Sequence, residues 1–203
     1  MPLFFFMKSR YSIIIPVHNE FRYLKLILGP LEVYCSQGNE VIIINDGSTD
    51  GTADFLNNNK INIKVINIEQ NQGKGFALRI GLKNTKYHKI VIFDGDMEIP
   101  PSEISKLMIL QKNKVHSVMG YRYEKLNPLS SNYGWGNFMF TSFFNIAFNL
   151  YSKDILCCAK SFFLNDIKLD KLESKGFDID AELSTNILWN NRKSSIHYTF
   201  LEY

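Results

Sequence analysis

Short apolar runs broken by polar loops, each followed by a stretch of helical spacing, set the rhythm of the first hundred residues. Residues 11–17, mostly apolar with β-branched Ile13, Ile14, Ile15 and Val17, read as a buried strand, with His18-Asn19-Glu20 as the polar loop behind Pro16. Over residues 21–33 the apolar positions Leu24, Ile27, Leu28 and Leu31 recur at helical spacing, and Gly29-Pro30 predicts a kink or an early end. Residues 40–44 form a second strand, 52–58 a short helix and 63–68 a third strand. Asn71-Gln-Gly-Lys-Gly75 opens a helix running through Lys83, and residues 90–93 are the fourth strand. Strand–helix repetition of this kind predicts an α/β fold with a mostly parallel central sheet flanked by helices.

The second half is less regular. Residues 101–112 have the spacing of an amphipathic helix, and 117–120 form a short strand leading into Tyr121-Arg122-Tyr123. Residues 126–135 are turn-rich. Residues 138–150 crowd together Phe138, Phe140, Phe143, Phe144, Ile146, Phe148 and Leu150. Two readings of that crowd stand: a buried helix, or a helix whose outer face meets lipid, because an exposed apolar patch of that size needs a partner. Residues 183–189 predict a further helix and 195–203 a terminal strand. With no repeats or linkers, residues 1–203 read as one domain.

Composition narrows the field. The chain has 203 residues, 45% of them hydrophobic, enough for a full core, and its formal charge of +3 offers no electrostatic case for nucleic acid. Three cysteines, two of them adjacent at Cys157-Cys158, make neither a metal spacing nor an even disulfide set, which fits a reducing compartment. The opening MPLFFFMKSR is too short to span a membrane and lacks a basic start and a small-residue cleavage site. The expectation is a cytoplasmic protein that touches a membrane at most peripherally.

The chemistry gathers at strand ends. Asp94-Gly95-Asp96 follows the fourth strand directly, with Glu98 next and Pro100-Pro101 closing the turn. Three acids so close repel one another unless a cation joins them, and a divalent ion with oxygen ligands is the usual partner. Taken alone, the segment reads first as a solvated acidic turn, with Asp96 or Ser102 available to cap a helix. In a doubly wound sheet, however, residues 16–20, 45–50 and 94–98 line one carboxyl edge, where open α/β sheets bind ligands. There Asp46 can accept hydrogen bonds from a base or ribose, and Gly47, Ser48 and Thr49 make a tight turn with backbone donors. Lys74, between Gly73 and Gly75 at a helix start, can approach a diphosphate, and Asp94 and Asp96 can hold a metal that bridges it. Together these loops describe a nucleotide-diphosphate site with a metal.

The same residues carry a family resemblance. SIIIPVHNE (12–20), VIIINDGSTDGT (41–52), NQGKGFALRIGL (71–82), VIFDGDMEIPP (91–101) and GYRY (120–123), with weaker echoes in DILCCAKSF (154–162) and GFDIDAEL (176–183), resemble the family 2 glycosyltransferases of GT-A fold. The nearest branch is the one that moves a sugar onto a polyprenyl or dolichyl phosphate. The resemblance implies Asp94, Asp96 and Glu98 as ligands of Mg2+ or Mn2+, and Pro16, His18, Glu20 and Asp46, with Gly47, Lys74 and Asp94, around the nucleotide. It implies Arg122 and Lys160 near the phosphates, Asp154 near the transfer site, and Asp96, Asp154 and Arg122 as the catalytic set. Residues 11–100 would then be the nucleotide-sugar-binding half and 101–203 the acceptor half.

The implied reaction is an inverting, metal-dependent transfer of a hexose from a UDP- or GDP-sugar to a lipid phosphate, on the cytoplasmic face of a membrane. A phosphate acceptor is already ionised and needs no strong base. A glycan hydroxyl acceptor needs one, and Asp154 or Asp180 would supply it. Asn45 stands where the family often has a second Asp, and Cys157-Cys158-Ala159 precedes Lys160 where a Gly or aromatic is usual. A loop with Arg and Lys usually follows the terminal strand in that branch, whereas this sequence ends at Glu202-Tyr203. A catalytically silent nucleotide-sugar-binding protein is therefore a further reading. A nucleotidyltransferase ranks last, because no basic glycine-rich loop stands near the start.

Overall fold

The strands β1 (Ser12–Val17), β2 (Glu40–Asp46), β3 (Lys64–Ile68), β4 (Lys89–Ile92), β5 (Ser117–Tyr121), β6 (Lys160–Phe163) and β7 (Ile196–Phe200) form one sheet. Their order is β3-β2-β1-β4-β6-β5-β7. This is a computed structural model that describes residues 9–122, 132–190 and 196–203. Tyr123, the turn-rich stretch as far as residue 131, the apolar opening residues and Ser195 lie outside the described residues. All neighbouring pairs are parallel except those of β6, which runs antiparallel to both β4 and β5.

Alternation along the strands builds two cores. Ile13 and Ile15 of β1 face one way, onto Leu24, Ile27 and Leu31 of α1 (Phe21–Ser36). Ile14 faces the other way with Ile42 and Ile44 of β2, where Leu78 of α3 (Lys74–Lys83) and Leu183 of α6 (Ile179–Asn190) cover them. Burial on both faces is why these strands read as unbroken apolar runs. The short α2 (Thr52–Asn57) connects β2 to β3.

Four expectations change. First, α1 does not end at Gly29-Pro30 but continues to Ser36. Both residues are exposed. Gly29 has no Cβ to collide with the proline ring, which eases the clash that disfavours helix before proline. Second, residues 101–112 are not one helix. A single 3-10 turn, Pro101–Glu103, leads into α4 (Ile104–Leu107), and there the helix stops. The Leu110 N–H is taken by the Tyr11 hydroxyl at 2.9 Å and its carbonyl by Lys89 Nζ at 2.5 Å, so tertiary bonds claim the backbone.

Third, β6 is a strand that the pattern did not announce, since it opens on a lysine and is only four residues long. Fourth, the aromatic crowd is a helix, α5 (Asn132–Phe148), but not a buried one. Trp135, Met139, Phe143 and Ile146 are 46%, 48%, 66% and 82% exposed, forming a stripe of successive turns that meets solvent. Among the described residues, no helix is long and apolar enough to cross a membrane.

Candidate active site

Local bonds fasten the loops after β1 and β2 to each other. His18 donates from Nδ1 to the Asp46 carbonyl at 2.7 Å, which leaves Nε2 to accept from Asn19 Nδ2 at 3.2 Å. Asn19 takes the left-handed conformation at φ 59°, which Asn tolerates better than most residues. Its N–H bonds Ser48 Oγ at 2.9 Å and its side-chain oxygen accepts the Thr49 N–H at 2.7 Å. Asp50 accepts from the N–H groups of Phe21 and Thr52 at 3.1 and 3.0 Å, serving the first turns of α1 and α2 with one carboxylate.

Asp46 lies against a third loop. It is buried, and its two oxygens accept the N–H groups of Gln72 and Gly73 at 2.9 and 2.8 Å. Gly47 follows with φ 62°, and a Cβ there would stand 2.3 Å from the Asn71 nitrogen, so the turn closes directly on that loop.

Lys74 is deeply engaged. Its ammonium lies 2.7 Å from Asp94 Oδ2 and 2.8 Å from Asp180 Oδ2. Burial works against its charge, but the carboxylates of Asp94 and Asp180 outweigh it and hold Lys74 well above the usual lysine range. The flanking glycines admit protein rather than a ligand. A Cβ on Gly73 would come within 2.4 Å of the Lys175 carbonyl, and one on Gly75 within 2.2 Å of the Ser174 carbonyl. The Lys175 carbonyl takes the Gly75 N–H at 2.7 Å, so the start of α3 expected to face a diphosphate is capped by this loop. Glu182 holds the loop in turn, accepting the N–H groups of Glu173 and Ser174 at 3.0 Å each.

A cleft of ≈ 260 Å³ opens at this edge, lined among others by Pro16, His18, Glu20, Asp46, Lys74, Asp94 and Asp96, with Gly176 and exposed Phe177 as its far wall. The structure thus brings together seven of the residues singled out in sequence. A larger groove, ≈ 830 Å³, lies between α1 and residues 97–108, where among the described residues Tyr11 and Tyr34 are the titratable lining groups. The acids and the lysine singled out in sequence line the smaller one.

The acids of the cleft suit a cation. Burial, then the nearby charges of Asp96, Asp50 and Asp94, push the Glu20 carboxyl above its usual range. Burial also raises Asp96, helped by Glu98 and opposed by the Glu98 N–H and Lys74. Asp94 Oδ1 is buried with no hydrogen-bond partner, an acceptor that a divalent ion would satisfy. These groups fit a hard cation. Glu98 is exposed and outside the cleft lining, joined to Asp96 by its N–H at 3.0 Å. Among the described residues, no three His, Cys, Asp or Glu side chains converge as a ready-made ligand set.

Arg122 and Asp154 form a separate pair. Arg122 Nε and Nη2 meet Asp154 Oδ2 and Oδ1 at 2.9 and 3.3 Å, and Asn137 of α5 donates to Oδ1 at 3.0 Å. Burial opposes the Arg122 charge, but the bond and charge of Asp154 keep it firmly protonated. No helix begins at Ile155, so Asp154 is not a helix cap. Lys160 is 1% exposed, bonded to the Asp180 carbonyl at 2.9 Å and to Ser184 Oγ at 3.0 Å. Phe177 and the partnership of Asp180 with Lys74 were not anticipated; the sequence pointed to that segment through the GFDIDAEL echo and through Asp180 as a candidate base.

Comparison with known proteins decides the family. The profile described as "Glycosyl transferase family 2" matches residues 12–172, most of the chain. The chain belongs to this family. As a glycosyltransferase of family 2 it is 29% identical over 208 residues to an uncharacterized protein of Methanocaldococcus jannaschii, covering 94% of this chain and 87% of that one. It is 28% identical to the undecaprenyl-phosphate 4-deoxy-4-formamido-L-arabinose transferase of Yersinia enterocolitica, over 58% of this chain and only 39% of that protein. Among solved structures, glucosyl-3-phosphoglycerate synthase of Mycobacterium tuberculosis superimposes with a TM-score of 0.73 at 17% identity, covering 96% of this chain and 71% of that one. A second structure of that enzyme, with Mn2+, UDP and phosphoglyceric acid, gives 0.71 at 16% identity. At such identity the likeness shows the fold, which is the expected GT-A arrangement.

Proposed function

We propose that this family 2 glycosyltransferase moves a hexose, with inversion, from a UDP- or GDP-sugar to a polyprenyl or dolichyl phosphate. The observation that carries the choice of acceptor is the state of the two candidate bases. Asp154 is held by Arg122 and Asn137, and Asp180 lies 2.8 Å from Lys74 and 3.8 Å from Lys160. Both carboxylates are already engaged by neighbouring side chains, which disfavours either as the base for a hydroxyl acceptor, whereas an ionised phosphate attacks without one. The name of the Yersinia relative agrees with a lipid-phosphate acceptor.

In this reading Pro16, His18, Glu20, Asp46 and Gly47 surround the nucleotide, while Lys74 lies beside the diphosphate end. Asp94 and Asp96, with Glu98 beside them, would hold Mg2+ or Mn2+, which when bound would supply positive charge to offset that developing on the departing diphosphate. Mn2+ bound with UDP in the mycobacterial structure supports that role. Arg122, its Nε and Nη2 held by Asp154, would bring a fixed positive charge near the acceptor phosphate. Residues 11–100 bind most of the donor and 101–203 take the acceptor, with Gly176 and Phe177 reaching back to the donor cleft. The exposed stripe of α5 rests on the cytoplasmic face of the membrane, where the acceptor's lipid tail is anchored.

Calorimetry with UDP- and GDP-sugars, with and without Mn2+ or Mg2+, tests the donor side. Transfer of labelled sugar to polyprenyl phosphate in vesicles tests the acceptor. The expected result is metal-dependent binding of one sugar nucleotide and transfer to the lipid phosphate. Donor binding without transfer would establish the silent binder, and transfer to a glycan without any lipid phosphate would establish the hydroxyl acceptor.

A further inference from the structure

Four charges alternate beneath the cleft. Asp94 Oδ2, Lys74 Nζ and Asp180 Oδ2 follow one another at 2.7 and 2.8 Å, and Lys160 Nζ stands 3.8 Å from the other Asp180 oxygen. The side chains of Lys74, Asp180 and Lys160 are only 9%, 6% and 1% exposed. They come from α3, α6 and β6, so three elements converge on the first acid after β4. Ser184 Oγ fixes the far end by accepting from Lys160 and donating to the Asp180 carbonyl at 2.7 Å. Hydrogen bonds in so dry a setting hold their geometry, because unpairing any one charge is costly.

We infer that Asp180 is a positioning residue that governs how tightly Asp94 binds a divalent cation, by sharing Lys74 with it. The inference rests on the metal reading given above. An ammonium and a metal ion compete for the same negative charge on Asp94. Were Lys74 paired with Asp94 alone, the cation would have to displace it and leave a buried ammonium without a counter-ion. With Asp180 on its other side, Lys74 keeps a full ion pair when Asp94 turns to the cation, so the displacement leaves no orphan charge. Lys160 and Ser184 fasten the Asp180 backbone carbonyl, and the Lys160 charge stands 3.8 Å from Asp180 Oδ1, which has no hydrogen bond of its own. Asp94 Oδ1, buried and without a hydrogen-bond partner, keeps an acceptor that the ion would satisfy.

The test is Mn2+ binding, followed by electron paramagnetic resonance of free Mn2+ in the presence of UDP or, in parallel, GDP. It uses the wild-type protein, Asp180→Asn, Lys74→Gln and the double variant, each checked for folding by circular dichroism. Asp180→Asn is expected to weaken Mn2+ about tenfold, and Asp180→Glu to recover most of that loss. With Lys74 neutralised, the same Asp180→Asn change is expected to matter less than about twofold, because there is no ammonium left to share. An equal effect in both backgrounds would mean that Asp180 acts through its own field, and would overturn the proposal. Unaltered affinity in Asp180→Asn would overturn it too, while leaving the metal site standing. Failure of the wild type to bind Mn2+ with either nucleotide would remove the metal reading and this inference together. A readout that needs no change at Lys74 is the nitrogen-15 resonance of its ammonium. It should shift on Mg2+ saturation in the wild type, and a resonance that does not move counts against the exchange.

Discussion

Asn137 on α5 donates to Asp154 Oδ1 at 3.0 Å, so the exposed aromatic helix is fastened to the carboxylate that orients Arg122. Asn137→Ala should therefore act at the acceptor. Losing a hydrogen bond to a buried charged group costs roughly 1.5–3 kcal/mol, so urea unfolding should show a fall of about that size. The KM for polyprenyl phosphate should rise about tenfold while donor affinity stays unchanged. An equal loss of donor affinity would separate Arg122 and Asp154 from the acceptor.

The stripe of Met139, Phe143 and Ile146 gives a cleaner separation of stability from binding. Phe143→Ser with Ile146→Ser removes side chains that are 66% and 82% exposed. Surface changes of this kind usually alter stability by no more than about 0.5 kcal/mol each. Sedimentation with anionic phospholipid vesicles should fall several-fold in the variant. Equal sedimentation of variant and wild type would take α5 off the membrane.

Gly75→Ala probes the loop that walls the cleft. The added methyl would sit 2.2 Å from the Ser174 carbonyl, on backbone rather than on a side chain that can swing away. Overpacking typically costs about 1–3 kcal/mol. Thermal unfolding should show that loss, and sugar-nucleotide affinity should weaken as the wall carrying Phe177 shifts. A variant with wild-type stability and affinity would show that the loop yields freely.

Tyr11 predicts a high-pH signature. Burial pushes its hydroxyl up to about 12, against a partly offsetting bond from the Leu110 N–H. A phenol with a raised folded pKa stabilises fully below its unfolded value near 10 and loses that contribution as pH rises toward about 12. Unfolding free energy should decline over that window, and the decline should be shallower in Tyr11→Phe. That variant should also be about 1–3 kcal/mol less stable at pH 8, because the Leu110 N–H loses its acceptor.

How much of this was legible in the sequence depended on whether a feature is local. β1, β2 and β4 are plain because burial on both faces makes unbroken runs such as Ile13-Ile14-Ile15. The three loops at one edge follow from the strand order that such runs imply. The partners of Lys74 do not: Asp180 lies 106 residues away, and nothing in the spacing marks it. Gly73 and Gly75 signal that something comes close, but a glycine looks the same whether the neighbour is a phosphate or the Ser174 carbonyl. In α5 the apolar positions run almost all the way round, so the pattern marks a helix without marking a buried face.

The antiparallel insertion of β6 has a consequence for how the chain is made. The β1–β4 half can pair as soon as residue 92 leaves the ribosome, yet the outer edge of β4 waits for residues 160–163. β5 has no place in the sheet before then, since its neighbours are β6 and β7. In that interval a growing chain carries an unpaired strand edge and, once α5 has been synthesised, a bare aromatic helix, both of which invite association with other chains. Early engagement of the nascent α5 by lipid or a chaperone would shield one of those two surfaces until the sheet closes.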